Sequence, residues 1–194
     1  QVFLATQMKC AACHNHFDNK EWSQRRFMGF AGYFSDKDLE LIKCEARTNE
    51  FVPTGFVFDM PSIPTDVPQT EDERAARIAQ LLIDPCNPRF AKTIVNRLWK
   101  RFLGMGLFEP VDNFREDTPA SHPELLEWLA YDFMANGHDI KHTMKSILNS
   151  RTYQLAYDPT LEDRFDIGRP AEPRYFRSPR LRRMIAEQLL DSVK

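Results

Sequence analysis

The chain has 194 residues, enough to bury a sizeable core as one domain or two small ones. A formal charge of -2 with 28% charged residues excludes capture of nucleic acid by global electrostatics. No apolar run approaches the roughly 18 residues of a membrane span, and four cysteines are too few for a disulfide-dense scaffold.

The first feature along the chain is Cys10-Ala11-Ala12-Cys13-His14. Two thiols separated by two residues, followed at once by an imidazole, match the spacing for covalent attachment of a c-type haem. Each cysteine forms a thioether to one vinyl group and His14 supplies the proximal iron ligand. Two other readings stay open. In an oxidising compartment Cys10 and Cys13 close a small disulfide, and in a reducing one they form half of a zinc site with His14 or His16. Cys44 and Cys86 stand alone in the sequence, where they complete a zinc site after folding or pair with each other if exported. Haem attachment is the favoured reading, with zinc next.

Residues 15–19 are too polar for a core element, and His16 there either reaches a haem propionate or faces solvent. Phe27, Phe30, Tyr33 and Phe34 are spaced for one helical face. Such a face walls a haem pocket or, more often, is ordinary core. Across 51–69, Pro53, Pro61, Pro64 and Pro68 remove backbone donors and resist helix, so this stretch reads as an extended linker or wrap-around loop. The expected division is a Cys/His segment at 1–50, a Pro-rich linker at 51–70 and a helical domain at 71–194.

The remainder is helical by pattern. Glu71–Ile83 places Ala75, Ile78, Leu81 and Leu82 on one side, and Asp84-Pro85 stops it. Asn87-Pro88 restarts a helix carrying Phe90, Ile94, Val95, Leu98, Trp99 and Phe102 until Gly104. Ser121 and Glu124 form a capping-box pattern for a helix burying Leu125, Leu126, Leu129 and Phe133, with Gly137 as its left-handed cap. Asp139 opens a helix with Ile140, Met144, Ile147 and Leu148. Ser178-Pro179 opens the last, with Leu181, Met184, Ile185 and Leu189. The expected fold class is mainly α, a helical bundle with no alternating strand set.

These helices carry a resemblance. Asn87-Pro88-Arg89-Phe90-Ala91, Val95-Asn96-Arg97-Leu98-Trp99, and Gly106-Leu107 with Glu109-Pro110-Val111-Asp112 resemble the planctomycete-type surface domain of unknown function. Ser121-His122-Pro123-Glu124-Leu125-Leu126, Ile147-Leu148-Asn149-Ser150-Arg151-Thr152-Tyr153-Gln154 and Ala186-Glu187-Gln188-Leu189-Leu190-Asp191-Ser192 continue the pattern. Residues 10–17 and the stretch on to Tyr33-Phe34 resemble the companion planctomycete cytochrome-type domain. The resemblance implies export to the periplasm or cell surface, where haem attachment machinery acts on Cys10 and Cys13. Family members are longer, and the chain starts at Gln1 rather than Met, so a fragment or an abbreviated member is expected.

The sixth iron ligand would decide the haem chemistry: methionine raises the potential, a second histidine lowers it, and an open position permits small-molecule binding. Met28, Met60 and Met105 are the methionine candidates, each also readable as core filler. His122 reads as part of a helix start, and His138 and His142 as surface residues beside a cap. No GxSxG elbow, phosphate-cradling glycine loop or HExxH helix is present. Asp112, Glu116 and Asp117 form an acidic cluster without full calcium-ligand spacing. Arg174, Arg177, Arg180, Arg182 and Arg183 form a basic stretch that either docks an acidic partner or polysaccharide or is a solvated helix start. The expectation is an electron carrier rather than a catalyst, with one haem c and a redox partner protein or larger electron-transfer complex. The alternative is a non-redox surface or assembly module with the Cys/His turn as a zinc or disulfide staple.

Overall fold

The computed structural model describes residues 1–17, 21–44, 46–61, 70–115, 119–161 and 175–193, which hold six α-helices and one two-stranded antiparallel sheet. The chain forms two compact units, Gln1–Ile94 with Pro110–Asp117, and Val95–Glu109 with Thr118–Lys194. No helix among the described residues is long and apolar enough to cross a membrane.

The first unit begins with a 3-10 turn, Lys9–Ala12, followed by α1 (Gln24–Ala31), a second 3-10 turn at Gly32–Phe34, β1 (Leu39–Lys43), β2 (Ala46–Val52) and α2 (Glu71–Ile83). Helix α3 (Phe90–Leu103) starts in this unit and continues into the second. Each helix start has a local chemical cause. The Ser23 hydroxyl accepts from the Arg26 amide at 3.1 Å, and Thr70 with Glu73 closes a reciprocal capping box. Asn87, buried, accepts at Oδ1 from the amides of Arg89 and Phe90, while its Nδ2 donates to the carbonyls of Leu81 and Leu82. One side chain thus ends α2 and begins α3.

The core of this unit gathers Leu4, Met8, Trp22, Tyr33, Val57 and Met60 with Ile78, Leu81 and Leu82 of α2. Phe27 and Phe30 pack against it, so most of the aromatic run is core, whereas Phe34 at its end is exposed. Phe56 and Phe58, from the Pro-rich stretch, meet Phe30 and Trp22 edge-on at 5.9 Å each. On α2 the fourth side of the apolar stripe is Arg74 rather than Ala75: Arg74 is buried and its guanidinium lies 2.7 Å from the Asp36 carboxylate.

The expectation of a mainly α helical bundle with no strand set is overturned by the β1–β2 hairpin, which makes the described fold mixed α/β. Leu39 pairs with Val52 and Lys43 with Ala46, with an irregularity between Glu40 and Ile42. There the extra length of β2 is absorbed by Asn49 at a φ of 58°, whose amide donates to Glu40, and by Thr48, whose hydroxyl donates to the Leu41 carbonyl. β2 is exposed at every position except Val52, so it has no period-two apolar pattern for a sequence reading to detect.

The Cys/His turn is fixed to this frame by Gln24. Its side-chain amide donates to the Ala12 carbonyl at 3.1 Å and to the Ile42 carbonyl at 2.9 Å, and its backbone amide donates to Asn15 Oδ1 at 2.9 Å. Turn, helix and hairpin therefore share one nearly buried carboxamide.

The second unit holds most of α3, then α4 (Pro123–Ala135), α5 (Ile140–Leu148) and α6 (Ala186–Ser192). Leu126, Leu129, Ala130 and Phe133 line the buried side of α4, and Thr143 and Ile147 that of α5. Gly137, at a φ of 66°, ends α4 with amide donation to Met134 and from His138 to Phe133. Two expected helix starts are corrected. His122, not Ser121, occupies the N-cap of α4, because the Ser121 hydroxyl is spent on the Leu107 carbonyl at 3.0 Å. The last helix opens at Ala186 rather than at Ser178-Pro179, and Leu181, Met184, Ile185 and Leu189 are exposed instead of forming a buried stripe.

A buried lock joins α3 to the following loop. Asn96 donates to the Phe108 carbonyl at 2.9 Å and accepts from its amide at 3.1 Å, while Glu109 accepts from the Gly106 amide at 2.8 Å and from Lys100 at 3.0 Å. Adding a Cβ at Gly106 places it 2.6 Å from the Phe108 carbonyl oxygen and 2.9 Å from Asn96 Oδ1. Gly106→Ala is therefore expected to cost about 1–3 kcal/mol by overpacking. Gly137→Ala meets no atom within 4 Å and is expected to cost only about 1 kcal/mol of backbone strain. Urea unfolding of the two variants checks the order. Gln24→Ala is expected to cost about 1–3 kcal/mol by leaving two carbonyls short of their donor, read by the same unfolding curve.

Candidate functional site

Cys10, Cys13 and His14 sit on a turn that is anchored from below and open above. Ala11 is fully buried and Met8 beside it nearly so. The Ala11 amide donates to Met8 at 2.9 Å, the Cys13 amide to Cys10 at 3.4 Å, and the Ala12 carbonyl receives Gln24. With the backbone held inward, both thiols face solvent as free cysteines.

His14 is exposed, with Nδ1 2.6 Å from the Asn15 carbonyl. In the tautomer that donates from Nδ1, Nε2 keeps its lone pair for a metal, and the carbonyl fixes the orientation of the ring. The ring leans on Phe17, centroids 4.3 Å apart, and Phe17 is itself 82% exposed. The next residues return to the core: the His16 amide donates to the Trp22 carbonyl at 2.9 Å. Trp22 is 1% exposed, and its indole N–H has no acceptor among the described residues.

This donor set fits a tethered haem: two accessible thiols on one turn and an imidazole whose far nitrogen stays available. A closed zinc site needs three or four ligands converging on a point. Among the described residues no three His, Cys, Asp or Glu side chains form such a group. Cys44 lies at the hairpin turn with a φ of 49°, and Cys86 follows α2 with its amide donating to Asp84. Both are exposed and free.

The three methionine candidates are enclosed by protein. Met60 belongs to the core cluster of the first unit, and Met28 is buried on α1. Met105 lies in the second unit, 3% exposed, between Gly104 and Gly106. Ligation by Met60 would need the side chain to leave its apolar surroundings, and ligation by Met28 would need it to leave a buried position. Of the histidines, His142 pairs with Asp132 at 2.9 Å, His138 meets Phe133 edge-on at 5.1 Å, and His122 lies 3.3 Å from the Ser121 hydroxyl. Asp112 is described, whereas Glu116, Asp117 and Arg174 lie outside the described residues. Gln24 and Asn15, which position the turn, carry no sequence signal: a glutamine at a helix start is usually solvated.

A family model for PSD1, described as a protein of unknown function (DUF1553), matches residues 74–194, more than half of the chain. That match runs from α2 to the C-terminal end and leaves the Cys/His turn outside it. No curated protein and no solved structure matches the chain. The spans quoted from α3 to α6 agree with the family assignment, and the chain belongs to PSD1 (DUF1553), a planctomycete-type domain family of unknown function.

Proposed function

We propose that the Cys10–His14 turn attaches one haem c covalently and that the chain relays single electrons outside the cytoplasm, to a redox partner protein or within a larger electron-transfer complex. The observation that carries this reading is the division of labour on one turn. Cys10 and Cys13 are exposed, the backbone between them is fixed by Ala11 and Gln24, and His14 Nδ1 is engaged by the Asn15 carbonyl.

When bound, the haem iron supplies the one-electron redox step. The residues supply everything around it. Cys10 and Cys13 hold the macrocycle through thioethers, which prevents its loss. His14 offers Nε2, oriented through Nδ1. Gln24 limits reorientation of the turn by tying it to the hairpin, and Phe17 offers an apolar ring at its edge.

The test uses chain from its native exporting source. An absorption spectrum is expected to show a Soret band that sharpens with dithionite, and the colour is expected to stay with the chain on a denaturing gel stained for haem peroxidase activity. Cys10→Ala with Cys13→Ala is expected to abolish the stained band. His14→Ala is expected to retain the tether but alter the reduced spectrum. A colourless native chain contradicts the proposal and leaves the turn as a zinc or disulfide staple of a surface module. In chain made without haem, all four free thiols are expected to react with Ellman's reagent, and attachment is expected to remove the two on the turn.

A further inference from the structure

The sequence places a basic stretch near the C-terminal end, and the structure of the second unit shows what holds it. Phe176 is buried edge-on against Trp99 of α3, centroids 5.4 Å apart. Ser178, also buried, accepts from the Asp158 amide at 2.7 Å. Gly104, at a φ of 87°, has no Cβ, and one added there would stand 3.3 Å from Arg180 and 3.4 Å from Arg182. The close approach lets Arg182 donate to the carbonyls of Arg101 and Phe102, the last in the latter case at 2.8 Å. Those carbonyls belong to the end of α3, where the helix leaves acceptors unsatisfied and its dipole favours a cation.

Between α3 and this segment lies a groove of about 710 Å³, a size that suits a ligand rather than a single water. Six cations line it, Arg97, Lys100, Arg101, Arg180, Arg182 and Arg183, and among the described residues no Asp or Glu does. Lys100 is neutralised by Glu109 and Arg182 is engaged by the helix carbonyls. Arg101 and Arg183 are exposed, and among the described residues neither guanidinium has an ion pair or side-chain hydrogen bond. Leu181, Met184 and Ile185 line the same groove and are also exposed, at 72%, 54% and 48%.

We propose that this groove binds an acidic peptide segment that carries apolar side chains. Uncompensated guanidiniums gathered in one groove repel one another and attract anions, and their planar forks match carboxylates. Cations alone would also serve a sulfated or uronic polysaccharide or a nucleic acid. The exposed apolar row decides between them: a polyanion without apolar groups leaves Leu181, Met184 and Ile185 wet, whereas a peptide alternating carboxylates with aliphatic residues covers them. Because the net charge is -2, recognition rests on this local patch rather than on a long-range field.

The experiment is fluorescence anisotropy with the full chain and a labelled ten-residue peptide alternating Glu and Leu. Saturable binding is expected, weakened about tenfold by Arg101→Ala with Arg183→Ala, as the loss of two exposed ion pairs predicts. Salt is expected to weaken it as well, and a Glu-Gly peptide is expected to bind less tightly. Arg183→Ala alone, at a side chain with no described contact, keeps the test readable if the double variant fails to fold by circular dichroism. Arg25→Ala, in the first unit, is expected to leave binding unchanged. Absence of binding, equal binding by the arginine variants, or a Glu-Gly peptide binding as tightly as Glu-Leu overturns the proposal. Binding of heparin or an oligonucleotide but not of the Glu-Leu peptide overturns it in favour of that polyanion.

Discussion

The first unit depends on the buried carboxamide of Gln24. A primary amide in an apolar setting is costly unless its hydrogens find acceptors, and here they find the Ala12 and Ile42 carbonyls. Those two carbonyls belong to two different segments, the Cys/His turn and the hairpin. The same constraint therefore fixes the register of α1 and the direction of the turn. It keeps Ala11 inside, and what remains outside is Cys10, Cys13 and His14. The site is accessible because its backbone is satisfied from beneath.

The second unit uses the same physics at a helix C-terminus. Asn96 fills both hydrogen-bonding roles of the Phe108 peptide, and Glu109 holds the Gly106 amide while pairing with Lys100. Three residues of the matched region thus act on the fold: Asn96, Gly106 and Glu109 close a loop, and the small size of Gly106 is required by the carbonyl against it. Membership in PSD1 consequently speaks for the architecture of these helices. Our proposals rest on residues elsewhere, on the Cys/His turn and on Arg101 and Arg183, whose guanidiniums have no ion pair among the described residues.

Much of the helical part was legible because amphipathic periodicity and caps are local. Glu71–Ile83, the Asp139 start of α5 and the Gly137 end of α4 all stand where side-chain pattern and turn chemistry put them. The hairpin was not legible, since β2 alternates nothing and its irregularity is held by Thr48 and Asn49 side chains rather than by an apolar face. The last helix was misread for a related reason. Leu181, Met184 and Ile185 have helical spacing, but Arg182 reaches the carbonyls at the end of α3 from a segment that is not helical before Ala186. At the site, the motif named Cys10, Cys13 and His14. It gave no hint of Gln24 or Asn15, because their role exists only once the turn, the helix and the hairpin have met.

We propose that this turn carries a covalent haem, and intact-mass spectrometry of denatured chain from its native source tests this most directly. The account predicts a mass above that of the polypeptide by one haem, located by proteolysis on the peptide containing Cys10 and Cys13. A polypeptide mass with no added haem, or a haem that separates on denaturation, would contradict it.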